Sequence, residues 1–569
     1  MKKIYILVAA LALTTVSCED FLGTEPIDKV FADQYYTDEA GLTQALAGVY
    51  DALNNQSSNC YYQDMLWEWC EVTTDESFYN SSTISGVRGN NFNTADPIVG
   101  TLWNTLYMGI DRANQLIANV NKPVMDEAKR QEILGEALFL RGYYHFLLIE
   151  YFRNIPLKLT PTTGPDDVYI AQSSPADVYA QIIKDMTEAE SKVYESTAPE
   201  LGGASSRITK TAIQGILARV CLTMAGAPHN DTSKYAEALK WASKVKNSGQ
   251  HALNTTFDAS LNTAAYTAIP ATGANVNVLA FNNNAYAQTF INMCSNKYNV
   301  KESMWEVDFK GNNTDGHADF GRVGSTIGIA MTNTTFNNSI GFCYGLTYAT
   351  ARLWESFKPG DLRRDWAIAP FTYSVVTLKG ATALSVIETP YVTTNHYRMA
   401  GKWRRIYEAG QKDKNNTSIN WPILRYSDVL LMLAEASNQV NNGPNAEAIE
   451  AVNQVRRRAF GVDINTPSVT ADLTAAETAN KDSFQLSIEK ERSFELCFEG
   501  FRRLDLIRWG KYVSTMKSVG AEIRANTQAT GLRVMAGGAE NAADKYLLYP
   551  IPLREMGVNK KLVQNELWK

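Results

Sequence analysis

The sequence predicts a mainly α-helical fold of degenerate tetratricopeptide-type helix pairs, with a loop-rich region and minor β structure in its middle third. Three observations predict it. Apolar residues recur at spacings of three and four from Thr37 to Val245 and again from Tyr426 to Glu499, the period of an amphipathic helix. Small residues (Ala212, Gly215, Ala218, Ala225, Ala238) stand where paired helices need a close approach. Between 251 and 420 the texture changes to asparagine pairs and clustered glycines, as at Asn312-Asn313 and Gly321, Gly324 and Gly328.

The first helix carries Leu42, Leu46, Val49 and Leu53. The next two run from Ile98 to Val120 through Trp103 and Ile110, and from Asp126 to Phe152 through Ile133 and Tyr144, and Pro156 and Pro161 end that pair. Pro175 opens a fourth, and Thr209 to Ala225 and Tyr235 to Val245 supply two more, with no fixed ~34-residue period. The middle third reads as ordered loop, because rings stay frequent in it, with short strands through Trp305 to Phe309 and Val375 to Ile387. A helical hairpin follows at Tyr426 to Val440 and Asn445 to Ala459, broken by Asn441-Asn442-Gly443-Pro444. A last long helix runs from Ser483 to Glu499 and stops at Gly500, a left-handed cap.

Composition bounds the rest. The chain has 569 residues, 45% hydrophobic and 20% charged, an ordinary globular balance, and its net charge of −6 argues against a broad grip on nucleic acid. Lys2 and Lys3 precede an apolar run from Ile4 to Leu13 that is too short for a membrane helix, which needs about 20 residues. Residues 1–17 therefore read as an export signal. Ser17 directly before Cys18 resembles a lipoprotein cleavage box, in which Cys18 takes the lipid. The other six cysteines make no CxxC pair and no zinc spacing. They read mainly as small core residues, with Cys60 and Cys70 the nearest pair for a bridge.

Several stretches together resemble the SusD/RagB family of outer-membrane lipoproteins. Cys18-Glu19-Asp20-Phe21-Leu22 resembles that family's lipidated start. Trp103-Asn104-Thr105-Leu106-Tyr107 and Arg141-Gly142-Tyr143-Tyr144 resemble its first repeat helices. Leu424-Arg425-Tyr426-Ser427-Asp428 with Ala434-Glu435-Ala436 looks like its late hairpin. The most specific run is Glu491-Arg492, Glu495-Leu496, Phe498-Glu499-Gly500, Arg503 and Asp505 to Gly510, and Tyr549-Pro550-Ile551-Pro552 fits its ending. The resemblance implies one SusD-like domain over 18–569, divided into N-terminal helical repeats (18–250), a loop-rich region (251–420) and a C-terminal helical part (421–569). It implies a cell-surface protein, lipid-anchored in the outer membrane, that binds glycan without cleaving it and delivers it to a SusC-like TonB-dependent transporter. Peptide cargo and a helical-repeat adaptor are the alternatives.

A sugar site needs ring faces beside hydroxyl-pairing groups. Two loop regions supply them. Trp67 to Phe92 offers Asp75, Tyr79, Arg88 and Phe92; Tyr286 to Tyr344 offers Trp305, Asp319, Phe320 and Arg322. Tyr79, Phe92 and Phe320 rank first among the rings because their neighbours are polar, whereas Trp67, Trp103 and Trp305 have apolar neighbours and a core role to compete with. No catalytic set, metal set or cofactor motif is found. Glu491, Glu495 and Glu499 recur every fourth residue on one helix face, so they project in parallel and cannot flank a glycosidic bond. With Arg492, Arg502, Arg503 and Arg508 nearby, they predict an internal ion-pair network. Arg456-Arg457-Arg458 reads as a solvated charge run. The five histidines are scattered, and His145 is expected in the core or at its edge.

Overall fold

The computed structural model describes residues 35–54, 60–81, 83–310, 321–391, 397–525 and 532–569. Helices α1 (Glu39–Asp51), α2 (Pro97–Asn119), α3 (Glu127–Phe152), α4 (Pro175–Glu190), α5 (Lys210–Ala225) and α6 (Lys234–Asn247) pack each against its chain neighbour. Their starts are written locally. Asp38, Asp96, Asp126, Ser174 and Thr209 each accept a first-turn N–H, and Pro97 and Pro175 occupy first-turn positions where no donor is missed. Close approaches fall at glycine. A Cβ on Gly109 of α2 would stand 2.6 Å from the ring of Tyr144 on α3, and one on Gly215 would stand 2.5 Å from Leu424. From Ile133 onward α3 is buried on nearly every side, because α1, α2 and α4 surround it.

The expected hairpin forms as α8 (Tyr426–Val440) and α9 (Ala446–Ala459), followed by α10 (Lys481–Leu496), α11 (Arg502–Arg508) and α12 (Tyr512–Ala525). Among the described residues the strands form four antiparallel pairs: β1 (Ser77–Tyr79) with β5 (Thr347–Ala349), β2 (Tyr266–Ala268) with β3 (Val276–Val278), β4 (Ser303–Val307) with β8 (Trp421–Arg425), and β6 (Phe371–Thr377) with β7 (Leu384–Pro390). The middle third also holds a helix that the sequence reading took for loop, α7 (Ala285–Cys294). Its turn-forming Asn284 is the cap, accepting from the N–H of Ala287 at 3.0 Å. The last long helix ends three residues early, at Leu496. Gly500 still takes a left-handed φ of +80°, with Leu66 2.7 Å from where a Cβ would sit. The six described cysteines are all buried, and Cys60 and Cys70 are not joined to each other; Cys60 Sγ instead donates to the Ala52 carbonyl at 3.0 Å.

The acidic triplet forms a buried charge cluster, as predicted, but with other partners. Glu491 meets Arg363 at 2.6 Å and Arg456 at 3.2 Å, Glu495 meets Arg458 at 2.6 Å and Arg425 at 2.8 Å, and Glu499 meets Arg425 at 2.8 Å. Arg456, Arg457 and Arg458 are therefore not a solvated face; all three are buried, since α9 turns them inward toward α10 and Glu302 or outward along Asp472. Burial opposes ionisation of Glu495, but Arg458, Arg425 and Arg363 overcome it and hold the carboxyl well below its ordinary range. His145 lies in the core, where burial pushes its imidazole down to about 4.

Candidate functional site

Two loop regions far apart in sequence come together beside β1 and β5. Residues 61–70 wind as a π-helical stretch whose last turn carries Glu68 and Trp69. Trp67 points inward, its ring stacked on Trp421 at 4.3 Å and its Nε1–H donating to Thr326 Oγ1 at 3.2 Å. Trp69 points the other way and is only half-buried. The turn after β1 then returns Arg88 over both rings, with its guanidinium carbon 3.2 Å from the Trp69 centroid and 3.7 Å from that of Tyr79. Arg88 Nε donates to the Glu68 carbonyl at 2.9 Å, and its Nη2 pairs with the Glu68 carboxylate. Delocalised guanidinium charge over ring faces is an attractive geometry, and the fork fixes the guanidinium in plane.

Asp64 lies one turn before Glu68. Arg322, from the second loop region, approaches Asp64 Oδ2 to 3.9 Å with its own side chain 31% exposed. Burial first, and then the neighbouring Glu68 charge, raise the Asp64 carboxyl to about 7 against the pull of Arg322 and Arg88. Its Oδ1 is buried without a hydrogen bond, and Arg322 Nε, the atom that approaches Oδ2, is beyond hydrogen-bond distance. The group thus presents a half-buried indole, a guanidinium clamp, a buried carboxyl and a second, more exposed guanidinium. Rings and polar groups in this mixture have the chemistry to suit a polyhydroxylated ligand, and among the described residues no group of three His, Cys, Asp or Glu is placed to hold a metal.

The expected site residues fare differently. Tyr79 and Arg88 are both in this cluster. Asp75 is close by in the chain, but its two oxygens are each 2.8 Å from Arg502, so it is a buried clamp between β1 and α11 and offers no free acceptor. Phe92 is 3% exposed, packed at 4.9 Å from both Tyr546 and Tyr549 and at 5.3 Å from Trp568. Trp305 is fully buried against Phe139 and Tyr143. Neither ring has a face left for a ligand. Asp319, Phe320 and the lipidation position Cys18 lie outside the described residues. Sequence reasoning missed Trp69, Glu68 and Asp64. The signal available was Trp67-Glu68-Trp69 itself, two indoles one apart that cannot both face one way on a wound segment.

Comparison with known proteins identifies the family. Residues 301–568 match the family model described as the SusD family, and residues 20–222 match one described as starch-binding and associating with the outer membrane. SusD-like protein P25 of Formosa agariphila is 24% identical over 98% of this chain and 97% of its own. A crystal structure of a SusD homolog from Bacteroides thetaiotaomicron VPI-5482 superposes with a TM-score of 0.77 at 26% identity, covering 94% of this chain and 98% of that one. A laminarin-binding SusD-like protein superposes with a TM-score of 0.65 at 22% identity, covering 93% and 100%. With two models of one family spanning most of its length and relatives aligned end to end, the chain belongs to the SusD/RagB family.

Proposed function

We propose that this protein is a lipid-anchored cell-surface protein of the outer membrane that binds an oligosaccharide or polysaccharide and hands it, uncleaved, to a SusC-like TonB-dependent transporter. The observation that carries the reading is the Trp69, Arg88 and Tyr79 stack with Arg322 beside it. An indole face covers the C–H face of a pyranose, and the guanidinium and carboxyl groups at its edge pair with ring hydroxyls. Two proteins of the same fold support it, one laminarin-binding and one a surface glycan-binding protein A from Bacteroides fluxus. Cys18 after a short apolar leader supports the anchor, and the outer-membrane association in one family description supports the compartment. The deciding experiment is titration calorimetry of the full chain against a panel of polysaccharides, laminarin included, with product analysis of the same mixtures. Binding without new reducing ends is expected. Binding to none of the panel, or release of products, overturns the reading; a pull-down from outer membranes that recovers no TonB-dependent barrel overturns its transport half.

A further inference from the structure

The two guanidiniums of the Arg88 cluster are held differently. Arg88 is fully engaged: its Nε donates to the Glu68 carbonyl, its Nη2 pairs with the Glu68 carboxylate, and it lies over the rings of Trp69 and Tyr79. Arg322 is fixed through its backbone only. Its carbonyl accepts from the N–H groups of Ser325 at 3.0 Å and Thr326 at 3.1 Å, and the preceding Gly321 exchanges two backbone hydrogen bonds with Thr417. In its side chain Nε is enclosed 3.9 Å from Asp64 Oδ2, while the two terminal nitrogens, which are not enclosed, donate to no described residue. That side chain is 31% exposed, against 12% for Arg88, 11% for Glu68 and 8% for Asp64. The cluster therefore keeps its carboxyls inside and turns a guanidinium outward.

Asp64 does not cancel that outward charge. Its distance from Nε is too long for a hydrogen bond, and burial, with the Glu68 charge next, raises its carboxyl to about 7, so near neutral pH it is only partly ionised. A guanidinium fork with free donors is matched by an oxyanion, because two oxygens of a carboxylate or sulfate accept both terminal N–H groups at once. A hydroxyl accepts one of them and leaves the charge unpaired. The chain's net charge of −6 supplies no broad attraction for anions, so such a group must be read locally. We propose that the glycan bound beside Trp69 is an acidic one, and that Arg322 selects it by holding a carboxylate or sulfate substituent of the sugar ring. The inference rests on the glycan reading of this site and adds the charge of the ligand to it.

The probes are two acidic oligosaccharides, each with a neutral twin of the same skeleton: oligogalacturonate with its methyl ester, and κ-carrageenan oligosaccharide with its desulfated form. Calorimetry of the full chain in about 0.15 M salt, where diffuse attraction is screened, is expected to show an acidic probe binding at least about tenfold more tightly than its twin. Preference for oligogalacturonate assigns a uronic acid carboxylate; preference for the carrageenan assigns a sulfate ester. Arg322→Gln is expected to bring the members of the preferred pair within about threefold of each other, and Arg322→Lys, which keeps the charge and loses the fork, to retain part of the preference. Both variants are expected to melt close to the parent, since the Arg322 side chain makes no hydrogen bond to a described residue; a purely structural Arg322 would instead lower the melting temperature and weaken both twins alike. Twins bound equally, neither acidic probe bound while laminarin binds, or a preference unchanged in Arg322→Gln overturns the acidic assignment and leaves the glycan reading standing. Binding of no polysaccharide at all overturns both.

Discussion

Arg88 lies against two rings and a carboxylate at once, so each neighbour has a different experimental signature. Trp69 is half-buried, and covering one ring face against a pyranose removes about 80 Å² of apolar area, about 2 kcal/mol or thirtyfold in affinity. Trp69→Ala is expected to weaken glycan binding by about that factor with little change in melting temperature, read by calorimetry and a thermal melt on the same preparation. Phe92→Ala should behave in the opposite way. Its ring fills the space between Tyr546, Tyr549 and Trp568, so truncation is expected to cost about 3–5 kcal/mol in urea unfolding. Equal stability of the two variants would show the buried and exposed assignments to be wrong. The contrast explains what the residues alone concealed. Phe92 has polar neighbours, Asn90, Asn91 and Asn93, yet a turn places consecutive side chains on different sides, and Asn90 itself is buried, donating to the Gly538 carbonyl at 2.8 Å. Polar sequence context therefore says little about a ring's direction in a turn: Tyr79, ranked first on the same ground, is buried as well, with Arg88 over its ring.

At the scale of elements, α10 is fastened to β8, α9 and the turn at Arg363 by charge instead of by a hydrophobic stripe alone. Glu495 has 0% side-chain exposure and faces Arg363, Arg425 and Arg458, each itself at most 1% exposed. Removing one member of a buried set strands the others, so Glu495→Ala is expected to lose about 3–5 kcal/mol in urea unfolding, and Glu495→Gln, which still accepts hydrogen bonds, less. Loss no larger than that of an exposed acid such as Glu200 would refute this role. The carboxylates and their spacing announced a network, but their partners come from 363, 402, 425, 456 and 458, which only the packing of separate segments brings within reach. The same limit hid α7. Its Asn283-Asn284 start looks like loop, and the helix becomes recognisable once Asn284 is seen capping it and Tyr286 and Phe290 are seen turning into the core. Long helices with Asp, Ser or Thr caps and proline starts were legible throughout, since their signals are local.

For the molecule as a whole, Cys18→Ala is expected to move the protein from the membrane fraction to the medium or periplasm, because the lipid proposed on Cys18 is its attachment; retention in the membrane pellet would refute the anchor. The second whole-molecule property is the pH dependence of stability, which follows from carboxyls buried with too little compensating charge. Asp64 and Glu306 are raised to about 7, and Glu71 and Glu150 to about 8, in each case first by burial. In the unfolded chain these acids ionise near 4, so between there and their folded values the native state holds more protons and stability falls as pH rises. Three histidines act in the other direction, since burial lowers His145 and His229 to about 4 and lowers His251 as well, while their unfolded forms stay protonated up to about 6.5. Above that pH the histidines are neutral in both states and no longer offset the acids. Asp428, held at about 2 against its burial by Arg492 and Arg219, is ionised in both states there and contributes no slope. The melting temperature is therefore expected to decline between about pH 6.5 and 8 and to level off once Glu71 and Glu150 ionise in the folded protein. Glu150→Gln keeps the shape and the contact to Thr223 while removing one of the titrating groups, so it should flatten that decline. A melting temperature that rises across this range, or a slope the same in Glu150→Gln as in the parent, would mean that these carboxyls are compensated in solution by something other than protonation.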